Sequence, residues 1–255
     1  MLVKQFGAET AGVFEVKKPV QALRIKNILK TAKIKITEFK NGTQTVRFPE
    51  MTVQELLTIN KGLEKRSVIV QENSTTGEYD EILILLSANG VLLFDDDYYY
   101  SVEIKDKDTL TTSVYGWDAK DSIYTPVKER KQGLPLGKPI TVSKAKIDAT
   151  ESDKIFSVYD TDMLFFNGVM PTKISYLVPD GKDLQGRDKN RTVSITADDI
   201  KYHNKGGRIQ FKNVSGTLSE GSLKPVYPLR GITQITVHHD TSLDQDLNFY
   251  QVDAI

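Results

Sequence analysis

Cysteine is absent from the 255-residue chain, which removes disulfides, thiolate nucleophiles and cysteine-ligated metals together. Histidine is scarce: His203, His238 and His239 are the only three, a thin supply for a multi-histidine metal centre. Tryptophan occurs once, at Trp117. No apolar run approaches the roughly 18 residues of a membrane-spanning helix. The opening MLVKQFGAETAGVFEV has no continuous apolar core of the kind a secretory signal needs. These absences together lead to the expectation of a chain made in, and staying in, a reducing cytoplasm.

Catalytic signatures are missing too. No G-x-S-x-G elbow occurs. GLPLGKP (133–139) is one residue short of a phosphate loop and carries Pro139 where Ser or Thr is required. VPDGKDLQGRDKN (178–190) fails the calcium-loop spacing, because Lys182 and Leu184 occupy ligand positions counted from Asp180; it reads as a turn. In VHHD (237–240), His238 and His239 of an extended run point to opposite faces and cannot share one ion. Asp160 and Asp162 of YDTDM would share a face in a strand and are read as exposed acids. Trp117, in VYGWD with Tyr115, reads as a core or interface anchor before a sugar-binding platform. No catalytic residue and no cofactor are assigned, and the chain is not expected to be an enzyme.

One carboxylate cluster stands out, Asp95, Asp96 and Asp97 in LLFDDDYYY. These are weak metal candidates, since calcium prefers clustered oxygens. Lying between two strands, they are expected to form a solvated corner. Alternation then sends Tyr98 and Tyr100 to one sheet face and Tyr99 to the other.

What the chain does contain is β-forming material. Apolar residues make up 39% and charged residues 27%, a globular balance rather than a disordered one. KIKITEF (33–39) alternates so that Ile34 and Ile36 share a face opposite Lys33 and Lys35. EILILLSANGVLLF (81–94) places two apolar runs around Asn89-Gly90, a hairpin signal. YYYSVEIKD and LTTSVYGW follow as strands. Later, KISYLVPDG, RTVSITADD, RIQFKNV, GITQITVHHD and LNFYQVDAI read the same way. Short strands punctuated by Gly, Pro, Asn and Asp predict a sandwich or barrel.

Two segments depart from this pattern in the same manner. MTVQELLTINKG (51–62) has Thr52 as a helix cap, Glu55 at the capping-box position, Leu56, Leu57 and Ile59 as an apolar face, and Gly62 as the stop. ITADDIKYHNKGG (195–207) repeats it with Thr196, Asp199 and Gly206. The offset, 196 − 52 = 144, also aligns Asn60 with Asn204, Lys61 with Lys205, Leu56 with Ile200, and the turn glycine Gly42 with Gly186. Shared local design over turn, strand, capped helix and stop points to an internal duplication. TPVKERKQGLPLGKP (125–139) is rich in Pro and Gly and reads as a connector. The expected organisation is a domain over 1–127 with its helix near 52–62, a connector at 128–138, and a domain over 139–255 with its helix near 196–206. Each half has the size of an eight-stranded sandwich.

Two tandem β-sandwiches, each with an inserted short helix and the paired T-x-x-[ED]-[LI]-x-x-x-N-K-G, resemble the double jelly-roll major capsid proteins of tailless, lipid-containing icosahedral phages. The resemblance is one of architecture and spans residues 13–255. It implies an all-β fold of two jelly-roll domains and a homotrimer of pseudo-hexagonal outline, because two barrels per subunit give six per trimer. Such trimers tile an icosahedral shell around a membrane and genome. The short loops here imply small exposed towers. The expected partners are further copies of the chain and other capsid proteins, and the expected location is the virion, assembled in the host cytoplasm. Residues 1–40 carry nine Lys or Arg against three Glu, a net +6 balanced by −6 in the remainder. This basic segment is a candidate to face an internal membrane or genome, with removal of residues 1–12 as its test. Two other readings are carried alongside: a different phage structural part (spike, penton or tail-associated protein), and a carbohydrate-binding module of two sandwiches.

Overall fold

The computed structural model describes residues 2–64, 69–73, 78–87, 90–109, 111–117, 137–203, 209–212, 218–221, 226–229 and 231–254. By internal contacts the chain separates into two compact units. The first comprises Met1–Ser143 with Gly207–Leu223 and Ala254–Ile255; the second comprises Lys144–Gly206 and Lys224–Asp253. Residues 128–136 of the expected connector lie outside the described residues.

The first unit has two sheets. One runs in the order β1 (Leu2–Gln5), β9 (Ser113–Trp117), β3 (Ala22–Leu29), β7 (Glu78–Leu85), continued by β6 (Ile69–Asn73), β15 (Ile209–Lys212) and β16 (Leu218–Gly221). The other runs β2 (Gly12–Val16), β8 (Tyr98–Lys105), β4 (Lys33–Lys40), β5 (Thr43–Thr52). The second unit has the orders β10 (Thr141–Ile147, whose residues up to Ser143 belong to the first unit), β19 (Leu247–Asp253), β12 (Met163–Phe166), β17 (Val226–Pro228) and β11 (Asp153–Ser157), β18 (Gln234–His238), β13 (Lys173–Lys182), β14 (Asp188–Thr196). Set aside β6, β15 and β16, and number the eight remaining strands of each unit from one to eight. Both units then read 1-8-3-6 and 2-7-4-5. That is the double Greek key of a jelly roll, present twice.

Local chemistry explains why the two copies match. In each, a hairpin turns at a glycine with positive φ, Gly42 at 77° and Gly186 at 79°, a conformation glycine adopts without strain. The second strand of each hairpin runs into a capped helix, α1 (Val53–Glu64) or α2 (Ala197–His203). The Thr52 amide donates to Glu55 at 2.7 Å and the Glu55 amide donates to Thr52 Oγ1 at 3.2 Å. The Thr196 amide donates to Asp199 at 2.9 Å, and the Asp199 amide to Thr196 Oγ1 at 3.3 Å. The first helical amide of each then bonds back to the residue before the hairpin: Val53 to the Ala32 carbonyl at 2.9 Å, Ala197 to that of Thr172 at 3.3 Å. Leu56 and Ile200, equivalent positions, are both fully buried.

Two expectations need correction. Helix α1 does not stop at Gly62 but continues to Glu64. Glycine costs only about 1 kcal/mol against alanine inside a helix, and the buried Leu56, Leu57 and Ile59 hold the helix down. The Asn60 side chain holds it further, donating to the Leu83 carbonyl and accepting from the Leu85 amide along β7. Gly206, Asn204 and Lys205 lie outside the described residues.

Second, the two apolar runs around Asn89-Gly90 do not pair with each other. Past β7, the Leu86 amide bonds to the Gln21 carbonyl, while the Ile140 amide bonds to the Leu86 carbonyl at 2.8 Å. Val20 pairs with Leu92 and Ser87 with Pro139. The places a hairpin partner needs are taken. Gly137 fits against this turn because it lacks a side chain: a Cβ there would lie 2.2 Å from Ser87 Oγ and 2.7 Å from the Gly90 carbonyl. Ala88 and Asn89 lie outside the described residues. Residues 2–6 are built into the first unit. Leu2–Gln5 pair with β9, and Phe6 is buried with its amide on the Thr112 carbonyl at 2.8 Å.

The core of each unit draws on both of its sheets. In the second unit Leu164, Phe166, Leu247 and Phe249 from one sheet meet Ile174, Ile235 and Val237 from the other, with Ile200 from α2. In the first, Leu23, Ile25 and Ile84 belong to one sheet and Ile34, Ile36, Val102 and Ile104 to the other; all are buried. Each such side chain contributes about 1.5–3 kcal/mol by leaving water.

Candidate functional site

Asp95–Asp97 form a corner, all three exposed. Asp95 Oδ1 accepts the amides of Asp97 at 2.9 Å and Tyr98 at 2.8 Å, and the Asp95 amide closes the turn on the Tyr98 carbonyl at 2.8 Å. The Asp97 carbonyl accepts the Asn41 amide at 2.9 Å, which ties the corner to the β4–β5 turn. Asp95 thus uses its lone pairs on backbone. Among the described residues no group of three or more His, Asp or Glu is arranged to hold a metal ion.

The tyrosines divide as alternation requires. Tyr99 lies on the outer face, stacked on Phe39 with centroids 5.0 Å apart and planes 2° apart, and Lys17 sits 4.9 Å over its ring. Tyr100 is fully buried, and Tyr98 beside it packs edge-on against Phe94 at 5.0 Å. On this inner face lies a polar group the sequence reading did not find. Glu38 follows Ile34 and Ile36 on the buried side of β4 and is 4% exposed. Arg47 of β5 donates to it at 2.7 Å and to Thr141 Oγ1 at 2.7 Å.

Burial disfavours the Arg47 charge, but the hydrogen bond and attraction from Glu38 outweigh it and raise the pKa. Burial first, then the Glu38 charge and hydrogen bond, pushes the Tyr98 hydroxyl up to about 12. Burial pushes Tyr100 up as well, helped by Tyr98 and Glu38. An acid whose folded pKa is raised contributes stability below its unfolded value of about 10, and loses it as pH climbs toward the folded value. In an absorbance titration at 295 nm, Tyr98 and Tyr100 should therefore ionise only together with alkaline unfolding. Smooth ionisation of all eleven tyrosines near pH 10 in folded protein would contradict this cluster.

The remaining candidates stay apart. His238 and His239 do face opposite ways: His238 Nε2 lies 3.2 Å from Ser175 Oγ, whereas His239 is 5% exposed. Burial, then Lys173, depresses the His238 pKa. Asp240 caps a short 3-10 turn, accepting from the Ser242 amide at 3.0 Å. Asp160 and Asp162 occupy the turn between β11 and β12 rather than a strand. The side chain of Trp117 lies outside those described. In VPDGKDLQGRDKN, Asp183 accepts the Gln185 and Arg187 amides at 2.9 Å each and Arg187 Nε at 2.8 Å, so the segment is a clamped turn. Part of the positive charge of residues 1–40 meets acids of its own unit: Arg24 and Lys26 share Glu81, Lys33 pairs with Asp106, and Lys17 pairs with Glu15.

These surfaces and the repeated strand order define an all-β protein of two tandem jelly rolls. No family model and no curated protein matches the chain. Among solved structures it is similar to the major capsid protein P2 of bacteriophage PM2, at 6% identity over 98% of this chain and 93% of that one, with a TM-score of 0.49. It is also similar to the PBSX exported protein XepA, at 8% identity over 99% of this chain and 85% of that one, with a TM-score of 0.23. Oxalate decarboxylase from Bacillus subtilis matches at 9% identity over 96% of this chain and 68% of that one, with a TM-score of 0.23. The jelly-roll assignment stands on the strand order of the two units.

Proposed function

We propose that the chain is the major capsid subunit of a double jelly-roll virus. It associates with itself into trimers of pseudo-hexagonal outline, and these tile an icosahedral shell. The observation that carries this reading is the strand order repeated in both units, with the same hairpin, capping box and helix at the same place. Two matched blocks in one chain make six in a trimer, the symmetry a hexagonal tile needs. The helices and hairpins serve packing, and the carboxylate corner serves a turn, so the chemistry points to assembly rather than turnover.

An anionic inner partner, membrane or genome, would be met by the lysines of residues 1–40. Deleting residues 1–12 is unsuited to testing this, because it removes β1 from its sheet. Charge reversal at exposed Lys18 and Lys40 is the better probe. The deciding experiment is light scattering and negative-stain microscopy of the purified chain. A particle of three times 28.7 kDa, or closed shells, is the expected result. A monomer retained on a polysaccharide column would overturn the reading in favour of a carbohydrate-binding module.

A further inference from the structure

The duplication supplies an internal control for the β13–β14 hairpin. In the first unit, β4 is paired with β8 along its whole length, from Lys33 to Lys40, as well as with β5. In the second, β13 pairs with β18 only over Lys173–Ser175, yet its pairing with β14 continues to Lys182. Beyond Ser175 the hairpin is a two-stranded ribbon, and no other strand among the described residues pairs with either of its edges. Such a ribbon is marginal in water by itself. This one also exposes Leu177 at 63% and, at its tip, Leu184 at 103%.

The tip is shaped in advance. Asp183 holds it through the Gln185 and Arg187 amides, and its own amide bonds to the Arg187 carbonyl at 2.8 Å. A wholly exposed leucine on a clamped turn loses little further freedom when it is buried. Arg187 pairs with Asp183 at 2.8 Å and Lys189 lies 3.5 Å from Asp180, so most of the ribbon's charge is answered internally. What it presents is open backbone edge and aliphatic side chain, the currency of β-strand addition between proteins.

We propose that residues 176–193 are an arm that a second copy of this chain clasps. The inference rests on the self-assembly reading and adds the element that carries it. At the opposite edge of the same sheet, β11 has no further strand beside it among the described residues. Ile155 there is 62% exposed and shares a face with Leu177, because Ile155 and Ser175 both align with Thr236. A sheet with open, aliphatic ends of this kind suits head-to-tail association, which closes into a ring when the rotation allows. Size decides how the arm is held. Seven residues at about 3.3 Å reach about 23 Å, and two strands span about 10 Å, so one face offers only about 230 Å². A stable interface buries about 800 Å² per partner. Both faces, both edges and the tip must therefore be enclosed.

The test compares wild type with L177D/L184D by sedimentation over a concentration series, with Leu243→Asp as the control at an exposed leucine outside the arm. Thermal melting checks that each variant is folded. Each buried leucine lost is worth about tenfold or more in association, so the double variant should assemble about a hundredfold more weakly. The control should match wild type. Hydrogen exchange should show amides 176–193 protected in the assembled form and exposed after dilution. If wild type assembles and the folded double variant assembles equally well, the arm is wrong and the capsid reading survives. If wild type stays monomeric at every concentration, both fall. Binding of the monomer's arm to phosphatidylglycerol vesicles would replace the second copy with a lipid surface.

Discussion

Arg47→Leu should lower the unfolding free energy of the first unit by about 3 kcal/mol, the low end of the range for breaking a buried ion pair. The substitution leaves Glu38, 4% exposed on the core face of β4, facing Tyr98 and Tyr100 without its cation. A carboxylate in that place must either stay charged without a partner or take up a proton, and both are costly. Arg47 itself keeps 22% of its side-chain surface in water, which places the loss at the low end. The urea midpoint should fall by roughly 1 M. Pairing it with Glu38→Leu should recover much of the loss, since no charge is then left behind. A change below about 1 kcal/mol for Arg47→Leu would mean that Glu38 reaches water by another route.

Phe249→Ala should cost the second unit about 3–5 kcal/mol. Phe249 is 1% exposed and meets Phe156 edge-on, with centroids 5.0 Å apart and planes at 82°, and Phe166 at 5.7 Å. Alanine removes the ring that joins the two sheets across the core, and close-packed neighbours fill such a gap only in part. Asn248→Ala, one position away and exposed, should stay within about 0.5 kcal/mol. Equal effects at the two positions would mean that β19 does not face the core in this register.

Period-two alternation found the inner face of β4, because Ile34 and Ile36 are apolar and their neighbours are lysines. The capping boxes were legible for a similar reason: each is made within four residues, so spacing alone specifies it. What was missed depends on partners far along the chain. Glu38 enters the sequence reading only as one of the three Glu among residues 1–40, and only the β4–β5 and β4–β8 registers bring Arg47 and Tyr100 to it. Asn60 matched Asn204 in the repeat, yet its bond to β7 crosses 25 residues to Leu85. The Asn89-Gly90 hairpin failed because Gln21 and Ile140 claim the backbone of Leu86 first. Local turn preference yields to such competition.

The corner at Asp95–Asp97 was read correctly as a turn, but what it helps to close, the aromatic and ionic end of the first unit's inner face, was not foreseen.

Carrying both jelly rolls on one polypeptide has a consequence for how each was free to change. The blocks are always supplied in equal number, so neither has to remain able to replace the other. One hairpin carries an interior ion pair and is paired with its neighbour along its whole length, whereas its counterpart is paired with its neighbour only over Lys173–Ser175. Separate genes for two such pieces would need a means of matching their dosage; here translation of a single message does it.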